Sequence, residues 1–207
     1  MTPISASPEA RRRLLRRGFW LEYATLGWNV AGAGLVLAAA AAAGSVALAG
    51  FGLDSLLEIL ASVVVLWQLR GSTDARRERT ALRVLGAAFG VLAVYVLGQS
   101  VVTLATGGQP APSPGGSVWL ALTLVALLAL AAGKARTGRA LGNRVLQTEA
   151  RVTLVDAYLA GAVLAGLLLN AALGWWWADP LAALVIVSYG AREGLHACRG
   201  AGAHEGG

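Results

Sequence analysis

Cysteine and histidine are scarce in this chain: Cys198, His196 and His204 are the whole supply in 207 residues. A single cysteine excludes an intramolecular disulfide framework, and the set is too sparse for a thiolate or mixed Cys/His metal cluster. Charge is thin as well, at 14% of residues, against about 25% in an average soluble domain. Hydrophobic residues make up 57%, and the mean hydropathy is +0.63. Such a composition implies that the solvent is lipid. No run shows the strict alternation of a membrane β-barrel strand.

What is present are apolar runs of helical length. Divided into pieces of about 20 residues, enough to cross a hydrocarbon core of roughly 30 Å, they predict six spans, over 20–43, 46–69, 81–106, 118–133, 148–173 and 180–198. The expected architecture is an all-α membrane protein: a basic tail over 1–19, a six-helix transmembrane domain over 20–198, and a short tail over 199–207. Trp20, Trp67, Trp119 and the Trp175, Trp176, Trp177 run fall near span ends, where aromatic rings favour the interface.

The net charge of +6 could suggest nucleic acid, but the 17 basic residues argue for topology instead. They collect in the N-terminal tail (Arg11 to Arg17), between spans two and three (Arg70 to Arg83), between spans four and five (Lys134 to Arg151), and at Arg192 and Arg199. The other connections, 44–45, 107–117 and 174–179, carry no Lys or Arg. The positive-inside rule then places both termini in the cytoplasm and gives nucleic acid no part. Arg16-Arg17 before an apolar stretch imitates an export signal, but the stretch is too long, contains Glu22 and Asn29, and precedes five further spans.

Most of the eleven acidic residues lie in tails, connections or span ends, Asp179 at an interface among them. Glu22, Asp54, Glu58 and Asp156 fall within spans. A charge at the bilayer centre costs about 3 to 17 kcal/mol depending on its surroundings, so such residues face a cavity or a partner and mark function. Asp54 and Glu58, four positions apart, share one helix face and form a two-armed claw. At about 1.5 Å per residue, Glu58 lies roughly 18 Å below the outer boundary, and Asp156 reaches the same depth from the inner end. Three carboxylates at one depth, with no Lys or Arg at any span centre, require a divalent cation or protons as counter-charge. Glu22, Thr25 and Asn29 form a stripe that could line an access path, although an interfacial position suits Glu22 equally well. Gln99 and Asn170 suit helix-helix hydrogen bonds better than ligation.

Gly44-Ser45-Val46-Ala47-Leu48 followed by Asp54-Ser55-Leu56-Leu57-Glu58 resembles the second helix of the cation diffusion facilitator transporters, and residues 174–183 resemble that family's loop into its sixth helix. Asp156 with Gly161 fits the fifth-helix ligand position. The resemblance implies a zinc-type ion held by two acids of helix two and by a His and an Asp of helix five, four positions apart. Asp54, Glu58 and Asp156 match three of these; the fourth position is Val152, so Glu149, or less readily Thr153, is the candidate replacement. The family commonly carries a cytoplasmic metal-binding domain after the sixth helix, and none is expected in the short tail here, so any homodimer is expected to pack through membrane helices.

Crowded carboxylates retain protons without metal, and an arriving cation must displace them, which predicts proton antiport. The resemblance implies export. An oxygen-rich site without imidazole suits Mn²⁺, Mg²⁺ or Fe²⁺ better than Zn²⁺, which favours mixed nitrogen and oxygen ligands; family analogy still ranks zinc first, Mn²⁺, Fe²⁺ and Co²⁺ remain open, and no cofactor beyond the transported metal is expected. Two rivals stand beside transport. One is a metal-binding sensor or accessory protein that moves nothing. The other is an intramembrane aspartyl protease, suggested by Gly50-Phe51-Gly52-Leu53-Asp54 but interrupted by Leu53; a non-enzyme is expected.

Overall fold

The computed structural model describes residues 8–69, 75–142 and 144–202. Asp74, His204 and Glu205 lie outside these residues, as do the side chains of Trp67, Glu78, Glu193, His196 and Cys198. Six helices follow one another: α1 (Pro8–Ala43), α2 (Val46–Leu69), α3 (Ala75–Thr106), α4 (Pro114–Leu141), α5 (Arg144–Leu173) and α6 (Ala178–Gly202). Windows in α1, α3, α4 and α5 are long and apolar enough to cross a bilayer. α2 and α6, at 24 and 25 residues, also exceed the length a core of roughly 30 Å demands.

The helices outrun the spans expected from hydropathy. α1 begins at Pro8 rather than Trp20, α4 runs from Pro114 to Leu141 rather than over 118–133, and α5 starts at Arg144. Lys and Arg are good helix formers, so the end of an apolar run is not the end of a helix. α4 stops at Gly142, whose φ of 63° only a glycine adopts without strain, with its N–H donating to Arg139 O.

α3 packs along α6 and α4 along α5, while α2 touches α1, α3, α5 and α6. Every helix contributes to one apolar core: Val36, Leu48, Val96, Leu120, Val163 and Ile186 are all buried in it. These residues occupy the half of the bundle nearer the uncharged connections. Close approach depends on small residues. A Cβ on Gly52 would stand 2.8 Å from Leu37 of α1, and one on Gly166 would stand 2.8 Å from the Ala182 Cβ of α6.

The start of α2 is held from another helix. Gly44, at φ 63°, turns the chain out of α1, and Ser45 accepts from the Leu48 N–H at 3.1 Å as an N-cap. The Ser45 hydroxyl donates to Asp179 Oδ1 at 2.5 Å, and Asp179 Oδ2 accepts from the N–H groups of Val46 and Ala47 at 3.0 and 3.3 Å. Asp179 is fully buried. Its carboxylate, from the first turn of α6, thus satisfies N–H groups that α2 cannot satisfy internally and lies at the positive end of that helix's dipole. The interfacial position expected of Asp179 is an inter-helix lock.

Asp179→Ala removes three hydrogen bonds to one buried charge and strands buried donors, so it should lower stability by about 2 to 4 kcal/mol. Asp179→Asn retains acceptors and should lose less. Thermal unfolding in detergent measures both; equal stability of Asp179→Ala and the parent would contradict the lock.

Candidate metal centre

Asp54 and Glu58 lie two and three turns into α2, on the face turned toward α1 and α5, and Asp156 lies midway along α5. One carboxylate oxygen from each of the three falls within 4.8 Å of the other two. Two oxygens bound to one zinc-sized ion are at most about 4.4 Å apart, twice a metal–oxygen distance of roughly 2.2 Å. The observed spread is therefore within a small side-chain adjustment of ligation. Asp54 and Asp156 are buried and Glu58 is half-buried. The Asn29 amide of α1 donates to Glu58 Oε2 at 2.5 Å and fixes the longer arm. Asp156 Oδ1, buried, accepts no hydrogen bond from the described residues.

On the basic side of the cluster lies a second polar layer. Lys134 of α4 is 1% exposed, and its ammonium donates to Glu22 Oε2 at 2.9 Å and to Thr153 Oγ1 at 3.2 Å. The Thr153 hydroxyl donates in turn to Glu149 O at 2.9 Å. Thr153 precedes Asp156 by one turn, about 4.5 Å, and Glu22 precedes Asn29 by two turns, about 10 Å. The ion pair therefore sits between the cluster and the basic end of the bundle, bridging α1, α4 and α5.

Of the four expected ligands the structure brings Asp54, Glu58 and Asp156 together and leaves Glu149 outside the cluster. Glu149 is half-buried and interacts electrostatically with Glu22 and Lys134, and across two turns with Asp156. Val152, where the family pattern puts histidine, is 38% exposed, whereas Thr153 beside it is 2% exposed. The expected stripe of Glu22, Thr25 and Asn29 is divided: Asn29 serves the cluster, Glu22 serves Lys134, and the Thr25 hydroxyl donates to Leu21 O at 2.9 Å. Asn170 joins α5 to the outer loop through Pro110 O at 2.9 Å, and Gln99 is exposed.

Lys134 requires a correction. The sequence groups it with the basic residues of a connection and leaves the interior without a protein cation, whereas the structure buries it. The signal that places it inside is a stripe of buried α4 residues spaced three and four apart: Leu120, Thr123, Leu127, Ala131, Lys134 and Gly138. Trp119 likewise belongs to the interior face. It stacks on Trp28 with centroids 5.0 Å apart, and the Trp28 indole donates to Thr123 Oγ1 at 3.1 Å.

Six helices around an apolar core, four of them with windows long and apolar enough to span a bilayer, define a multi-pass integral protein of the cell membrane. The chain belongs to the cation efflux family, whose transmembrane domain matches residues 23–202. It is also similar to the cation-efflux pump FieF of Shewanella oneidensis, at 30% identity over 102 residues, 46% of this chain and 34% of that protein. The match thus spans about a third of that relative's length.

Lys134→Met leaves Glu22 without its cation and should lower stability by about 1 to 3 kcal/mol, less than for a fully buried pair because Glu22 is 39% exposed. Adding Glu22→Gln should restore part of the loss. A double-mutant cycle on thermal unfolding in detergent reads the coupling; strictly additive losses would contradict the pair.

Proposed function

We propose that the chain exports a divalent transition-metal ion, zinc first, from the cytoplasm in exchange for protons, holding it between Asp54, Glu58 and Asp156. The observation that carries this reading is the convergence of three carboxylates from two helices beside an apolar core to which every helix contributes. Three ionised carboxylates so close repel strongly at low dielectric. One divalent ion removes most of that charge, and protons remove it when the ion leaves, so metal and protons compete for the same oxygens. Export direction rests on family membership.

The surroundings suit alternating access. The shared apolar core lies on the outer side of the cluster and the Glu22, Lys134, Thr153 layer on the cytoplasmic side. Transport requires the first to part while the second stays closed, and the reverse, with α2 and α5 moving as the ligand-bearing pair. Asn29 follows Glu58, which keeps α1 with that pair. An accessory protein that binds metal without moving it would share the cluster and differ only in flux.

Proteoliposomes loaded with a metal-sensitive dye and a pH dye test this in one experiment. The parent should move zinc, faster against an opposing proton gradient, with counter-movement of protons. Asp54→Ala and Asp156→Ala should each cut flux at least about a hundredfold while remaining folded and inserted, since removing one ligand from three costs several kcal/mol of binding at 1.4 kcal/mol per tenfold. Full flux in either variant contradicts the site; binding without flux in the parent favours the accessory protein; flux indifferent to the pH gradient contradicts the coupling.

A further inference from the structure

A cleft of about 500 Å³ opens on the side of the bundle between α4 and α5, and none of the three carboxylates lines it. Its lining is divided by polarity. Arg139, Gln147 and Arg151 stand at one end, and Leu128, Ala131, Leu154 and further alanines make up the rest. The alanines leave space that leucines would fill. Arg139 is eleven residues beyond Leu128 on α4, a rise of about 16 Å, close to the roughly 15 Å depth of one leaflet. The cleft therefore extends from headgroup level toward the midplane.

Its polar end is a built corner. The Gln147 amide donates to Gly138 O at 3.4 Å, fastening α5 to the last turns of α4. Arg139 and Arg151 come from different helices, and neither forms an ion pair with a carboxylate among the described residues. Two guanidiniums in one lining offer an anionic phosphate diester charge complementarity, and each can donate through two N–H groups. By the positive-inside rule this end faces the cytoplasmic leaflet, which carries the anionic lipids.

We propose that this cleft binds one anionic phospholipid of the cytoplasmic leaflet, with Arg139 and Arg151 on the headgroup phosphate and an acyl chain along Leu128, Ala131 and Leu154. The bound lipid joins α4 to α5 beside the layer that contains Lys134 and Thr153. The inference does not depend on which ion, if any, the bundle moves.

The test is thermal unfolding of the detergent-solubilised protein with added lipid. Phosphatidylglycerol should raise the parent's Tm by about 3 to 6 °C, and phosphatidylcholine or inorganic phosphate should not. R139Q/R151Q should unfold near the parent's temperature without lipid and lose the response. Ala132→Leu, which keeps both arginines but fills the cleft, should lose it too. An equal phosphatidylglycerol shift in either variant overturns the proposal, as does a shift reproduced by phosphate alone. A change from dimer to monomer in R139Q/R151Q would assign the cleft to a second copy of the chain and overturn it equally.

Discussion

Three carboxylates, two of them buried and one half-buried, place an oxygen each within 4.8 Å of the others, and their mutual repulsion is the constraint on the structure around them. Two polar groups nearby offset it. Asn29 donates to Glu58. Lys134 brings a positive charge into the interior and acts electrostatically on Glu58 and Asp156, although its hydrogen bonds go to Glu22 and Thr153. The remaining negative charge is larger than one buried ammonium offsets, which leaves a role for a mobile cation and for protons.

Placing two acids at one depth demands a rigid helix with a fixed start. Asp179 provides that start for α2. Its carboxylate holds Ser45, Val46 and Ala47, and Asp54 follows Val46 by about 12 Å of helix. A shift of that lock would displace both ligands of α2 together. The Gly-Ser and Asp-Pro motifs, far apart in the chain, thereby become one structural unit. Gly52, which brings α2 against Leu37 of α1, sets the spacing at which Asn29 reaches Glu58.

Much of this was legible in the sequence because periodicity and depth are local properties. The four-position separation of Asp54 and Glu58 fixes a common face, and a count along two helices of fixed rise predicts the level at which Asp156 meets them. What was not legible came from helix ends and partners. Hydropathy marks where lipid ends, so Lys134 read as a connection residue until the helix was seen to continue to Gly142. Asp179 read as interfacial because its partners lie more than 130 residues away. Glu149 shares a face with Asp156 but sits two turns away, nearer Lys134; sequence spacing alone cannot rank those neighbours.

In the proposed transport, oxygen atoms of Asp54, Glu58 and Asp156 surround the ion. X-ray absorption at the zinc edge, on detergent-solubilised protein loaded with one equivalent of metal, tests it most directly. The account predicts a shell of oxygen ligands near 2.0 to 2.2 Å, without imidazole multiple scattering or a sulfur shell, and the loss of that shell in the triple variant Asp54→Asn, Glu58→Gln, Asp156→Asn. An imidazole or sulfur signature in the parent, or a spectrum unchanged by the triple variant, would show that the ion is bound elsewhere and contradict the account.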